Sequence, residues 1–280
     1  MDGASMEFTN LIWIFFIFAA LQPMLRQRVL EGLRKRKIVA IEAKRNSRAI
    51  LLVHRQETMS FLGFPVLRFI SMDDAEAVIH AIDMTDPEVP IDLILHTPGG
   101  LALASFQIAR AINARPGKVT VFIPHYAMSG GTLIALAADE IVMSKHAVLG
   151  PVDPQLGEYP AASILRVLRD KPAAEIDDRT LILADQAEKA LSDLKSSVTE
   201  ILAEHYPAQS VDRLAEVLTQ GTWTHDHPIT VRRAQELGLN VNTEMLPEIM
   251  ELLTLYPQPV RKTATVEFTP EPKRAPPTTR

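Results

Sequence analysis

The sequence predicts an α/β fold on three observations. Short β-rich apolar runs alternate with helical patterns, two glycine pairs stand where a run gives way to a helix, and a 47% apolar share of 280 residues is ample for one buried core. The strand-like runs cover 49–53, 91–95, 118–123 and 140–143. Segments 73–84, 101–114 and 130–138 supply the crossover helices, the second opening directly after Gly99-Gly100. A longer helix is expected over 178–206, because Ala184, Ala187, Leu191, Leu194, Val198 and Ile201 recur at alternating spacings of three and four and so share one face. That stripe reads either as core packing or as a subunit contact. No internal repeat is visible.

The two ends differ from this body. Residues 8–25 carry no charge, close to the lower limit of about 18 residues for a membrane-crossing helix. Asp2 and Glu7 precede the run, and Arg26, Arg28, Arg34, Lys35, Arg36 and Lys37 follow it, the reverse of a cleaved secretory signal. The reading is an N-terminal membrane-anchor helix with its basic flank, residues 1–37. It either spans the bilayer or, without spanning, lies in its interface or makes an oligomer contact, and the basic flank places the rest of the chain on the cytoplasmic side. Residues 38–256 form the main domain. Residues 257–280, proline-rich and without apolar periodicity, form a disordered tail.

A net charge of −5 points to no nucleic-acid partner, and the absence of cysteine removes disulfides, thiolate metal sites and a cysteine nucleophile. Any covalent chemistry needs another nucleophile. Thr97-Pro98-Gly99-Gly100 and Met128-Ser129-Gly130-Gly131 each close a strand and open a helix. Glycine admits backbone conformations closed to other residues, and a helix beginning there aims unpaired N–H groups at one point, where an anion is stabilised. A serine beside such donors stands as the nucleophile of an acyl-transfer enzyme stands, next to an oxyanion hole.

The segments 93–100 (LILHTPGG), 126–132 (YAMSGGT) and 137–141 (AADEI) resemble the Clp protease and signal peptide peptidase A superfamily. Together with 149–155 (LGPVDPQ) and 223–230 (WTHDHPIT), they most resemble the serine dehydrogenase proteinase family, over roughly residues 38 to 250. The resemblance implies a ClpP/crotonase-like domain of repeated β-β-α units. It also implies a serine protease with Ser129 as nucleophile, an oxyanion hole at Gly100 and Gly130, no cofactor, and a homo-oligomer acting on membrane or membrane-proximal polypeptides. No Gly-x-Gly-x-x-Gly follows a strand, so neither dehydrogenase chemistry nor a nicotinamide is expected.

The general base is less determined. Where the Clp protease has a histidine, residues 148–153 contain none. A Ser-Lys pair resembling that of signal peptide peptidase A instead implies Lys171, in the loop ahead of the long helix. A lysine serving as base must be buried enough to release its proton. Lys171 also reads as a surface residue of a charged loop, and Lys189, with Asp185 and Asp193 four residues away on either side, is the alternative. Gly99, His96, His125 and Asp153 are candidates for shaping the site. His225 and His227 lack further ligands nearby, so a groove turn, with no metal, is the expected reading. Two rivals stand beside the protease: a crotonase-type acyl-CoA enzyme and a non-catalytic membrane scaffold of the same fold.

Overall fold

The computed structural model describes residues 3–54, 60–61, 64–65 and 68–256, with the side chains of 3–20, 23, 24, 26, 60, 61, 64, 65 and 173 excepted. Its strands are β1 (Arg48–Val53), β2 (Ser60–Phe61), β3 (Phe64–Pro65), β4 (Ile91–His96), β5 (Val119–Ile123), β6 (Tyr126–Ala127), β7 (Glu140–Met143), β8 (Val148–Leu149), β9 (Gln155–Leu156), β10 (Tyr159–Pro160), β11 (Ile229–Thr230) and β12 (Val241–Asn242). Its helices are α1 (Gly3–Arg45), α2 (Met72–Asp83), α3 (Ala102–Asn113), α4 (Gly130–Leu136), α5 (Ala161–Asp170), α6 (Asp178–Ala203), α7 (Ala208–Thr219), α8 (Val231–Leu237) and α9 (Pro247–Thr254).

Among the described residues the main sheet runs β1-β4-β5-β7-β12, parallel throughout. Every residue of β4 and β5 is buried, as central strands covered on both faces must be. On one face α2, α3, α4, α6 and α7 pack through residues such as Val78, Ile108, Leu133, Ile201 and Leu214. The other face is covered by the end of α1 and by α9, where Ile41, Ile249 and Leu252 meet Ile94 and Phe122. The stripe on α6 resolves as core packing, divided in two: Val198 and Ile201 join the main core, while Ala184, Ala187 and Leu191 pack with Ala161 and Ile164 of α5.

The helix α1 crosses the expected boundary at residue 37 without a break and ends inside the domain. Its last turn is held by Arg45, whose guanidinium donates to both oxygens of Asp92, at 2.7 and 2.9 Å. The Ser47 hydroxyl adds a third bond at 2.6 Å. Asp92 lies on a central strand with 1% of its side chain exposed, so it depends on this pairing. Removing one partner leaves a buried charge uncompensated. Arg45→Ala is therefore expected to cost about 2–4 kcal/mol, read as a lowered denaturant midpoint at unchanged slope.

Among the described residues no helix is long and apolar enough to cross a membrane. The side chains of 8–20, most of the expected anchor, lie outside the described residues, as does the tail 257–280.

Candidate active site

The turn carrying Ser129 forms where β6 passes into α4. Gly131 N–H donates to the Met128 carbonyl at 2.8 Å, closing a four-residue turn. Ser129 occupies its second position at φ 51 and ψ −118. Those angles belong to the first central residue of a type II′ turn, where glycine is usual. A serine held there is strained, a sharp elbow between strand and helix, and its side chain makes no cap bond to the helix it begins. Thr132 fastens the turn from below: its Oγ1 lies 2.9 Å from the Ala127 carbonyl and 2.8 Å from that of Gly150.

The first glycine pair lies against this elbow. Met128 N–H donates to the Thr97 carbonyl at 3.0 Å, and Thr97 N–H to that of Tyr126 at 3.2 Å, so the two turns are zipped together. A Cβ built on Gly99, whose φ is 103, would fall 2.8 Å from the Ser129 Cβ. On its far side the pair is bridged to Ile70, whose N–H donates to the Gly99 carbonyl at 2.8 Å and whose carbonyl accepts Leu101 N–H at 2.9 Å. A trans peptide whose carbonyl points to Ile70 must aim its N–H the opposite way. The Gly100 N–H therefore faces the elbow, where its nitrogen lies 3.6 Å from a Cβ built on Gly130. Gly130 is the first residue of α4, so its own N–H has no acceptor within the helix. The structure thus brings the Gly99-Gly100 turn and the Ser129-Gly130 turn side by side.

A small three-stranded sheet brings two further segments to the same end. Here β8 runs parallel to β6, with Leu149 opposite Ala127, and β11 runs antiparallel to β8, with Ile229 opposite Leu149. The chain leaving β6 reaches Ser129 in two residues. The chain leaving β8 reaches Asp153 in four, and the chain entering β11 left His225 four residues earlier, so register sets Asp153 across from His225. They are bonded: His225 Nδ1 lies 2.8 Å from Asp153 Oδ1, and Gln155 Nε2 donates to Asp153 Oδ2 at 2.6 Å. The hydrogen bond that the His225 ring donates to this nearly buried carboxylate pushes the His225 pKa above the usual 6.5, against the effect of burial, with the charge of Asp153 and Asp226 adding to the rise.

The remaining expected residues scatter. His96 is buried at the end of β4, its ring 5.5 Å from that of exposed His125 and 4.3 Å from that of Tyr126. Trp223 stacks on His227 with ring centroids 5.0 Å apart. Lys171 is the exposed C-cap of α5, so within one chain it lacks the burial a lysine base needs. Lys189 is exposed and paired with Asp185 at 2.6 Å, its pKa raised by that hydrogen bond. Sequence reasoning passed over His54, Ile70 and Thr97, although a histidine ending an apolar run at the C-terminal edge of a parallel sheet stands where such folds place their sites.

The family model described as ClpP-like SDH-type serine proteinase matches residues 1–280. Two uncharacterized proteins of Methanocaldococcus jannaschii are similar along almost their whole length. One is 48% identical over 273 residues, covering 97% of this chain and 96% of the relative. The other is 49% identical over 271 residues, covering 97% and 92%. Among solved structures, a membrane-bound stomatin-specific protease, as a serine-to-alanine mutant, aligns with 65% of this chain and 79% of its own, at 18% identity and a TM-score of 0.45.

Proposed function

The chain belongs to the ClpP-like, SDH-type serine proteinases, and from that premise we propose a serine endopeptidase in which Ser129 attacks the peptide carbonyl and the N–H groups of Gly100 and Gly130 hold the oxyanion. The observation that carries this reading is the strained elbow packed against the first glycine turn, with Gly99 and Ser129 in contact. As the Ser129 oxygen bonds to carbon, its proton passes to the base. The carbon–nitrogen bond then breaks, the leaving amine takes that proton, and water hydrolyses the ester. The exposed side chains of Phe69, Leu101 and Leu103, next to the bridge between Ile70 and Gly100, offer an apolar lip for a polypeptide.

In this proposal Lys171 is the base once something covers it. Val167 on the same helix and Leu181 and Ile182 on the adjoining α6 are exposed apolar residues, a surface that a second copy in a homo-oligomer would bury while desolvating the amine. The uncharged stretch 8–25 and the basic residues after it support attachment to a bilayer, spanning or interfacial, with the domain on the cytoplasmic side.

A second reading of the base is favoured by the bond between His225 and Asp153, which occupies Nδ1 and leaves proton exchange to Nε2. One experiment tests both: fluorophosphonate labelling mapped to Ser129, with its rate followed against pH. Labelling of Ser129 is expected, and a folded protein that never labels would favour a non-catalytic scaffold. If His225 is the base it must be neutral, so the rate rises with pH through a value above 6.5, and His225→Gln removes that limb. Under the first reading His225→Gln keeps its labelling and Lys171→Ala loses it. The pair also stabilises the fold while His225 is charged: fully below about 6.5, and progressively less as pH climbs through its raised folded value. The stability gap between the parent and His225→Gln should close over that rise.

A further inference from the structure

Beneath the oxyanion turn lies a titratable group that peptide hydrolysis does not use. His54 follows the last residue of β1 and has 5% of its side chain exposed. Its Nδ1 is 2.9 Å from the Thr97 hydroxyl, and its Nε2 is 3.4 Å from Asp74 Oδ2. The same Thr97 hydroxyl accepts the Gly99 N–H at 3.1 Å. Asp74 in turn accepts from the N–H and hydroxyl of Ser71, both at 2.8 Å, where it caps α2. One arrangement of protons satisfies the whole chain. Gly99 N–H donates to Thr97, the Thr97 hydroxyl donates to His54 Nδ1, and His54 Nε2–H points at Asp74. This requires neutral imidazole, and burial lowers the His54 pKa in keeping with that.

We propose that His54 is a positioning residue for the oxyanion donor, acting through Thr97 to fix the Gly99-Gly100 peptide. The argument is geometric. Gly99 has a φ of 103, a conformation open to a glycine but not selected by it. Its carbonyl is held by Ile70 and its N–H by Thr97, so both peptide planes flanking that torsion are pinned. The Gly100 N–H belongs to the second plane. Without the Thr97 oxygen the first plane can rotate, and the donor that must meet a developing negative charge loses its aim. Protonated His54 would instead donate from Nδ1 to Thr97, turning the hydroxyl towards the Gly99 carbonyl, 3.4 Å away, which it would then share with the Ile70 N–H.

This inference rests on Ser129 being the nucleophile, and its test keeps the two apart. Thr97→Val, close in shape but without the oxygen, is expected to lower kcat by about 10- to 100-fold with KM within about twofold. Thr97→Ser, which keeps the oxygen, should stay within about threefold of the parent. His54→Asn and His54→Phe make the same comparison from the other side of the bond if the valine variant does not fold. Asparagine can offer its amide oxygen near the Nδ1 position and should retain turnover, whereas phenylalanine should lose it. A parent never labelled at Ser129 sinks the protease reading itself. A labelled parent with equal kcat in folded Thr97→Val, or in folded His54→Phe, overturns the inference. So does a loss confined to KM or to thermal stability.

Discussion

Under the proposed mechanism, Ser129→Ala is expected to lower turnover on a polypeptide substrate by about 10⁴-fold or more while leaving KM nearly unchanged, because the N–H groups of Gly100 and Gly130 and the exposed Phe69, Leu101 and Leu103 are untouched. Fluorophosphonate labelling should vanish with it. The alanine keeps a Cβ, and so keeps whatever the elbow costs at φ 51 and ψ −118. Ser129→Gly should be equally inactive but more stable, by up to about 1 kcal/mol, since those angles suit glycine and a serine there is strained. Inactivity with higher stability in glycine than in alanine would show that the fold is strained at its reacting atom, a trade seen where function occupies a conformation that packing alone would not choose. Undiminished cleavage by the alanine variant would end the assignment of Ser129.

Gly100→Ala should come next in size, for a different reason. A Cβ there would sit 2.2 Å from the nitrogen and 2.3 Å from the oxygen of Ile70. Both atoms are backbone and cannot swing aside as a side-chain end can, so the bridge must open. Its two hydrogen bonds, at 2.8 and 2.9 Å, would be lost, costing about 2–4 kcal/mol once the unsatisfied groups are included. The same opening turns the Gly100 N–H away from the elbow, and if that group holds the oxyanion as proposed, its loss lowers kcat by about 10²- to 10³-fold. Thermal unfolding and steady-state kinetics on the same preparation check the two effects. A variant with parental stability and turnover would show that this turn does not approach Ile70 as described.

Much of the architecture was legible because its signals are local. The runs at 91–95 and 118–123 read as strands, and β4 and β5 are buried along their whole length. The glycine pairs read as turns because both precede helix starts. Ser129 stood out because it shares its turn with one pair and its edge with the other. What escaped depends on partners distant in sequence. Asp153 and His225 are 72 residues apart, and His54 and Thr97 are 43. No periodicity within either segment encodes the register that joins them. Asp92 is the one charged residue of the run 91–95, and its partner Arg45 lies 47 residues earlier, at the end of α1. The short β12, α8 and α9 were missed because their apolar residues are too few to repeat a pattern before the chain turns, whereas α7 carries a readable one in Val211, Leu214, Ala215 and Leu218 that went unused. Lys171 shows the opposite limit: a position implied by resemblance cannot reveal how much solvent surrounds it.

The continuity of α1 has a mechanical consequence. An uninterrupted helix of 43 residues is a rod of about 65 Å. Its inner end is riveted through Arg45 to a strand whose far end leads directly to the oxyanion turn. Pro23 within it removes one helical hydrogen bond and is where such a rod bends, so the unbroken lever is the stretch from there to Arg45.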